Sequence, residues 1–172
     1  MLAQHNLYNL ITPLIKRIKA LDSILEKLQT HCAERNIADA VFLNDRLYPD
    51  MLPFASQVRI VTDFTKGAAG RLTGSDIPKF EDNEDTIAQL RDRIAALIAY
   101  FDTFNASQFD GAESKDIVLK LSGDRELKFN GWGYVNDFVL PNVYFHLTTA
   151  YNILRHRGVG LGKADFLGGW TA

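Results

Sequence analysis

The chain has 172 residues, of which 47% are hydrophobic and 23% are charged, and its formal net charge is -2. This balance is typical of an ordinary globular domain, 1–172, whose core needs neither disulfides nor a structural metal to form. No basic block is long enough to follow a phosphate backbone and no apolar run reaches the ~18 residues of a membrane span, so neither nucleic acid nor a membrane is an expected partner. The single cysteine, Cys32, and the lack of an export signal predict a cytoplasmic protein.

The first third of the chain predicts one long amphipathic helix. Its apolar residues recur at alternating steps of three and four: Leu7, Leu10, Leu14, Ile18, Leu21, Leu25, Leu28 and Cys32. Pro13 lies near its start and allows two interpretations. Either Thr12 caps the helix with Pro13 in the first position, or the helix begins earlier and kinks at Pro13.

Two further amphipathic stretches predict a second and a third helix. LPFASQVRIVTDFTKGAAGRLTG places six apolar residues on one face: Phe54, Val58, Val61, Phe64, Ala68 and Leu72. Gly74 follows this stretch and is expected to end the helix in a left-handed backbone conformation. TIAQLRDRIAALIAYFDTF repeats the pattern with Ile87, Leu90, Ile94, Leu97, Phe101 and Phe104. The charges of EDNED before this third helix, and of RDR within it, are interpreted as helix-start or surface charge.

The pattern then changes from helical to strand periodicity. DIVLKLS and RELKFN flank a short Gly-Asp turn, which predicts a β-hairpin. The last helix is expected from about Leu140 to His156, with Pro141 in its first turn and Gly158 as its stop. Segment 131–139 is either a short helix of its own or the same helix continued across a kink. Together these elements predict a mainly all-α fold, an up-and-down four-helix bundle with a small β-hairpin before the last helix.

This order of elements, together with the stretches FHLTTAYNILRHRGVGLGKADFLGG and DMLPFASQVRIVTDFTKGAAGRL, resembles the DinB/YfiT-like superfamily, and within it a branch of uncharacterised bacterial proteins. The resemblance covers essentially the whole chain and implies one DinB-like domain. Many members of the superfamily are regarded as metalloenzymes, and some are thiol transferases that act with low-molecular-weight thiols. Their divalent metal is held by one histidine of the second helix and a His-x-x-x-His pair of the fourth.

The present sequence departs from that histidine pattern. Matching the leucine-arginine pair and the glycine near the end of the last helix places His146 at the second histidine of the pair and Asn142 at the first. Gln57 is matched to the ligand of the second helix. Amide oxygens bind zinc or nickel more weakly than imidazole does. His156 cannot complete the set, because ten residues of helix separate it from His146 by about 15 Å.

We therefore expect Gln57, Asn142 and His146 to form a polar pocket between the helices, with Asp63 and Thr149 as outer members. On this interpretation the three-histidine metal site is incomplete, no cofactor is expected, and a small molecule of unknown identity is the ligand. The alternative is a metal-dependent enzyme related to the DinB-like thiol transferases, which would use His146 as its remaining histidine ligand for zinc or nickel. No catalytic residue is predicted, and whether the protein is an enzyme stays open.

The aromatic residues of the last helix bear on assembly. Tyr144, Phe145 and Tyr151 exceed what one buried helical face requires. We therefore expect some of them to pack against a second subunit, which predicts a homodimer.

Overall fold

The computed structural model describes residues 6–121 and 123–169. The four long helices that the sequence predicts are α1, α3, α4 and α6, and the hairpin consists of β1 and β2. The helices span Tyr8–Arg35 (α1), Asp39–Leu43 (α2), Phe54–Thr73 (α3), Ile87–Phe101 (α4), Gly131–Gly133 (α5), Leu140–His156 (α6) and Lys163–Leu167 (α7). The strands span Asp116–Lys120 (β1) and Glu126–Asn130 (β2).

Helix α1 begins before Pro13, which decides between the two predicted starts. Pro13 lies inside the helix, and the Thr12 hydroxyl donates to the Tyr8 carbonyl at 2.7 Å instead of capping a helix end. The Asn6 side chain accepts from the Tyr8 amide at 2.9 Å, so it satisfies one of the donors that a helix start leaves free. Asn36 ends the helix in a left-handed conformation with φ of 53°.

Helices α3 and α4 confirm the predicted second and third helices. Gly74 ends α3 with φ of 80°, a left-handed position that glycine adopts without strain. Thr86 caps α4 in a capping box, in which its hydroxyl accepts from the Gln89 amide and the Gln89 side chain accepts from the Thr86 amide. Phe104 lies beyond the end of α4 but is buried.

The hairpin is antiparallel and has Val118 opposite Lys128. Gly123 and Asp124 have φ values of 73° and 57°, and this positive-φ pair suits a tight hairpin turn. The alternation of β1 directs Ile117 and Leu119 into the core, so the hairpin packs on the helices.

Segment 131–139 continues directly into α6 and is not a separate helix. After α5, residues Tyr134–Val139 form a π-helix that runs into Leu140. A proline ring crowds the carbonyl four residues before it and its nitrogen donates no hydrogen bond, so the wider turn before Pro141 has a physical cause. Gly131 is required by close packing, because a Cβ there would collide with the Ala112 carbonyl.

One continuous core joins the helices. Helix α3 packs against both α4 and α6, and α1 packs against α4 and the short α7. Within residues 6–121 and 123–169, no helix combines the length and the apolar character that crossing a bilayer would require.

Candidate functional site

A buried amide and a half-buried imidazole meet between α3 and α6. Gln57 lies in the first turn of α3 and is 2% exposed. Its Nε2 donates to the Leu52 carbonyl at 2.8 Å, and its Oε1 lies 2.6 Å from Nδ1 of His146. Both polar atoms of the buried amide therefore have partners.

These two hydrogen bonds define the tautomer of His146. The Leu52 carbonyl can only accept, so the amide nitrogen of Gln57 must face it and the amide oxygen faces the imidazole. Nδ1 of His146 therefore carries the hydrogen, and Nε2 of the neutral ring keeps its lone pair. Burial lowers the pKa of His146 below its usual value of 6.5, so the ring is neutral at pH 7.

Two phenylalanines surround the imidazole of His146. Phe64 stacks with it at 6.4 Å between ring centroids, and Phe145 meets it edge-on at 5.2 Å. These apolar neighbours remove water from the ring and account for its lowered basicity.

The three remaining predicted site residues make their hydrogen bonds elsewhere. Asn142 donates to the Phe138 carbonyl at 2.7 Å and the Thr149 hydroxyl donates to the Phe145 carbonyl at 2.8 Å, so both bond to the backbone of their own helical run. Asp63 forms ion pairs at 2.9 Å with Lys66 and 2.8 Å with Arg93. A direct hydrogen bond thus joins Gln57 to His146, whereas Asn142, Thr149 and Asp63 are not hydrogen-bonded to either of them.

Asp63 belongs to a charged network around Arg93, which the sequence interpretation missed. The Arg93 side chain is 2% exposed and bonds to Glu84 Oε1 at 2.8 Å, Thr62 Oγ1 at 2.6 Å and Asp63 Oδ1 at 2.8 Å. Glu84 of EDNED does precede the start of α4, but it and Arg93 of the RDR stretch are buried and are not surface charges. The available signal was the position of Arg93 three residues after Leu90, on the apolar face of α4.

Glu84 is the buried carboxylate of this network. Its side chain is 8% exposed, and Arg59 and Arg93 hold one oxygen each, at 2.6 and 2.8 Å. Burial acts to raise the pKa of Glu84, but hydrogen bonds from Arg93, from the Glu84 backbone and from Arg59 outweigh it and the pKa is lowered. The network therefore fastens the connector before α4 to α3 and α4.

The described part of the chain contains no group of three or more histidine, cysteine, aspartate or glutamate side chains placed to share a metal ion. His146 is the one histidine among the three residues that the resemblance matched to metal ligands, the others being Gln57 and Asn142. The oxygen of Gln57 is directed at the ring of His146, and Asn142 uses its amide nitrogen on the Phe138 carbonyl. This donor set does not fit the three-histidine centre.

The arrangement of helices and the hairpin before the last long helix are those of a DinB-like protein. Among solved structures, the chain is similar to a DinB family member protein from Shewanella denitrificans, whose crystal structure has 1.83 Å resolution. The two are 36% identical, the match covers 96% of this chain and 94% of that chain, and the TM-score is 0.88.

The family model described as a domain of unknown function, DUF1993, matches residues 7–167. The chain belongs to this family. A comparison with curated proteins finds no match. The predicted membership of the DinB/YfiT-like superfamily and the mainly α-helical fold are thereby confirmed.

Proposed function

We propose that this protein binds a small molecule at a polar site built on Gln57 and His146, without the three-histidine metal centre of its superfamily. The observation that carries the proposal is the 2.6 Å hydrogen bond between Gln57 Oε1 and His146 Nδ1. It holds the imidazole in one tautomer and leaves Nε2 as a proton acceptor. A hydroxyl, amine or thiol of a ligand is the donor that such an atom takes.

The chemistry of the donor set supports binding without a metal. Zinc and nickel prefer several imidazole or thiolate ligands, and His146 supplies one. Gln57 directs its oxygen at His146, where it orients the ring instead of facing an ion. Phe64 and Phe145 beside the ring would contact the apolar part of a ligand. Asn142, Thr149 and Asp63 are proposed as neighbours of this site and not as members of its hydrogen-bonded pair.

Metal analysis tests whether the site lacks a metal centre. Protein purified without a histidine tag should hold no stoichiometric metal, and zinc or nickel titration should not distinguish it from His146→Ala. His156→Ala is the matched control, because it removes an exposed imidazole at the far end of the same helix. Stoichiometric metal that is lost in His146→Ala and kept in His156→Ala would instead establish the alternative, a metal-dependent enzyme that uses His146 as a ligand.

We propose further that the protein is a cytoplasmic homodimer. Tyr144 and Phe145 of α6 are 40% and 58% exposed, an unusual exposure for two large apolar side chains next to each other. Cys32 is a buried free thiol whose pKa is raised by burial, which suits a structural cysteine in a reducing compartment.

A further inference from the structure

A second region of the molecule has the features of a ligand site. A cleft of about 430 Å3 lies between α3, strand β1 and the π-helix, and this volume is within the range of small-molecule sites. Its lining includes Phe64, Arg71, Leu119, Tyr134 and Phe138, but not Gln57, Asn142 or His146. An inference from this cleft therefore goes beyond the function proposed above.

Arg71 is the cation of the cleft, and Gly67 makes room for it. The Arg71 side chain folds back along α3, so a Cβ at position 67 would collide with its Nη1. The same Nη1 donates to the Tyr134 hydroxyl at 3.1 Å. Within the described residues Arg71 forms no ion pair, so its guanidinium can bind the carboxylate of a ligand.

Tyr134 adds a second donor beside Arg71. The side chain is 1% exposed, and burial raises the pKa of Tyr134 above its usual 10 by more than the nearby Arg71 lowers it. The phenol is therefore neutral. Its oxygen accepts from Arg71, which leaves the O–H hydrogen free to donate to a ligand.

The remaining charges leave the cleft with a positive excess. Asp63 at its edge is compensated by Lys66 and Arg93, with which it forms ion pairs. Lys120 also lines the cleft and makes no ion pair within the described residues. Arg71, Tyr134 and Lys120 can therefore bind an anionic group, and the described residues of the lining include no unpaired carboxylate that would repel it.

The walls of the cleft are apolar and aromatic. Phe64 and Phe138 lie 5.2 Å apart between ring centroids, Phe138 stacks with Tyr134, and Leu119 is almost fully buried beside them. A ligand that fills this space has an apolar body attached to its anionic group.

We infer that this cleft binds an organic monocarboxylate with an apolar or aromatic body, whose carboxylate is held by Arg71 and the Tyr134 hydroxyl. A planar guanidinium matches the two oxygens of a carboxylate. The half-buried Arg71 is the cation bonded to Tyr134 and balances a single negative charge, whereas Lys120 is exposed at the rim of the cleft. This arrangement favours a carboxylate over a phosphate dianion.

Calorimetric titration of the full chain with 3-phenylpropionate tests the inference. Saturable binding is expected, with the neutral 3-phenylpropanamide and the variant Arg71→Gln each weaker by about tenfold or more. Tyr134→Phe should weaken binding less, because it removes one donor. Arg35→Gln is the matched control for charge, since Arg35 is exposed at the end of α1. This variant should bind phenylpropionate as tightly as the parent protein does.

Gly67→Ala provides a variant that keeps every charged group. Alanine favours helix, so the protein should stay folded, while the new methyl group displaces the Arg71 guanidinium and weakens binding.

Three results would overturn the inference: no saturable binding at millimolar phenylpropionate, equal affinity for the amide, or unchanged affinity in a folded Arg71→Gln protein. Tighter binding of phenyl phosphate than of phenylpropionate would overturn the choice of a carboxylate. None of these results depends on His146, so they are independent of the metal analysis.

Discussion

Arg93 is the residue whose replacement should destabilise the protein most through electrostatics. Its side chain is 2% exposed, and it bonds to the nearly buried Glu84 as well as to Thr62 and Asp63. Arg93→Met keeps the length of the apolar stem but leaves Glu84 with Arg59 alone. Because this breaks a buried ion pair by removing one partner, the free energy of unfolding should fall by about 3–5 kcal/mol.

Arg91 provides a matched control on the same helix. It lies two residues before Arg93 and pairs with Asp22 of α1 at 2.8 Å, but these two side chains are 30% and 33% exposed. Water screens such a pair, so Arg91→Met should lower the free energy of unfolding by only about 0–1 kcal/mol.

Urea denaturation followed by circular dichroism measures both variants, and Glu84→Gln with the double variant completes a cycle. The cycle should show a coupling between Arg93 and Glu84 of about 0.5–3 kcal/mol, because the two side chains share one network. If Arg93→Met loses no more stability than Arg91→Met, the buried network does not hold the connector in place.

Three further predictions follow from single contacts. The pKa of Glu84 is lower in the folded than in the unfolded protein, so its stabilising contribution is present above about pH 5 and is lost as the pH falls. Urea titrations should therefore show that the free energy of unfolding of the parent protein falls more steeply with decreasing pH than that of Glu84→Gln. Alanine at Gln57 and at His146 should lower the free energy of unfolding non-additively in a double-mutant cycle, since each removes the same hydrogen bond; independent effects would contradict that contact. Phe145→Ser should convert the proposed homodimer to a monomer in sedimentation experiments, and an unchanged dimer mass would refute that interface.

The long elements could be predicted because their apolar periodicity agrees with their packing. The hairpin was equally accessible, since its alternation and its Gly-Asp turn are both local signals. The helices α2 and α7 were missed because a run of five residues is too short to show a helical period. The π-helix was also missed, because Pro141 is compatible with an ordinary first turn as well as with a wider turn before it.

The candidate site could be predicted only in part, for a different reason. Gln57 and His146 are 89 positions apart, and their match came from a resemblance to relatives and not from any local signal. The spacing of four between Asn142 and His146 places both on one helical face, but asparagine and threonine side chains also bond readily to the carbonyl four residues earlier. Asn142 and Thr149 both do so.

The π-helix gives the two proposed binding regions a physical connection. Within it Tyr134 stacks with Phe138, Phe138 contacts Phe64, and Phe64 stacks with the imidazole of His146. One row of aromatic rings therefore runs from the arginine of the cleft to the imidazole. Phe64 contacts both Phe138 of the cleft and the imidazole of His146, so a ligand that displaces Phe64 also changes the surroundings of His146. Tyr134 and Phe138 both belong to the π-helix, so two of the four rings in this row lie in the irregular turn before Pro141.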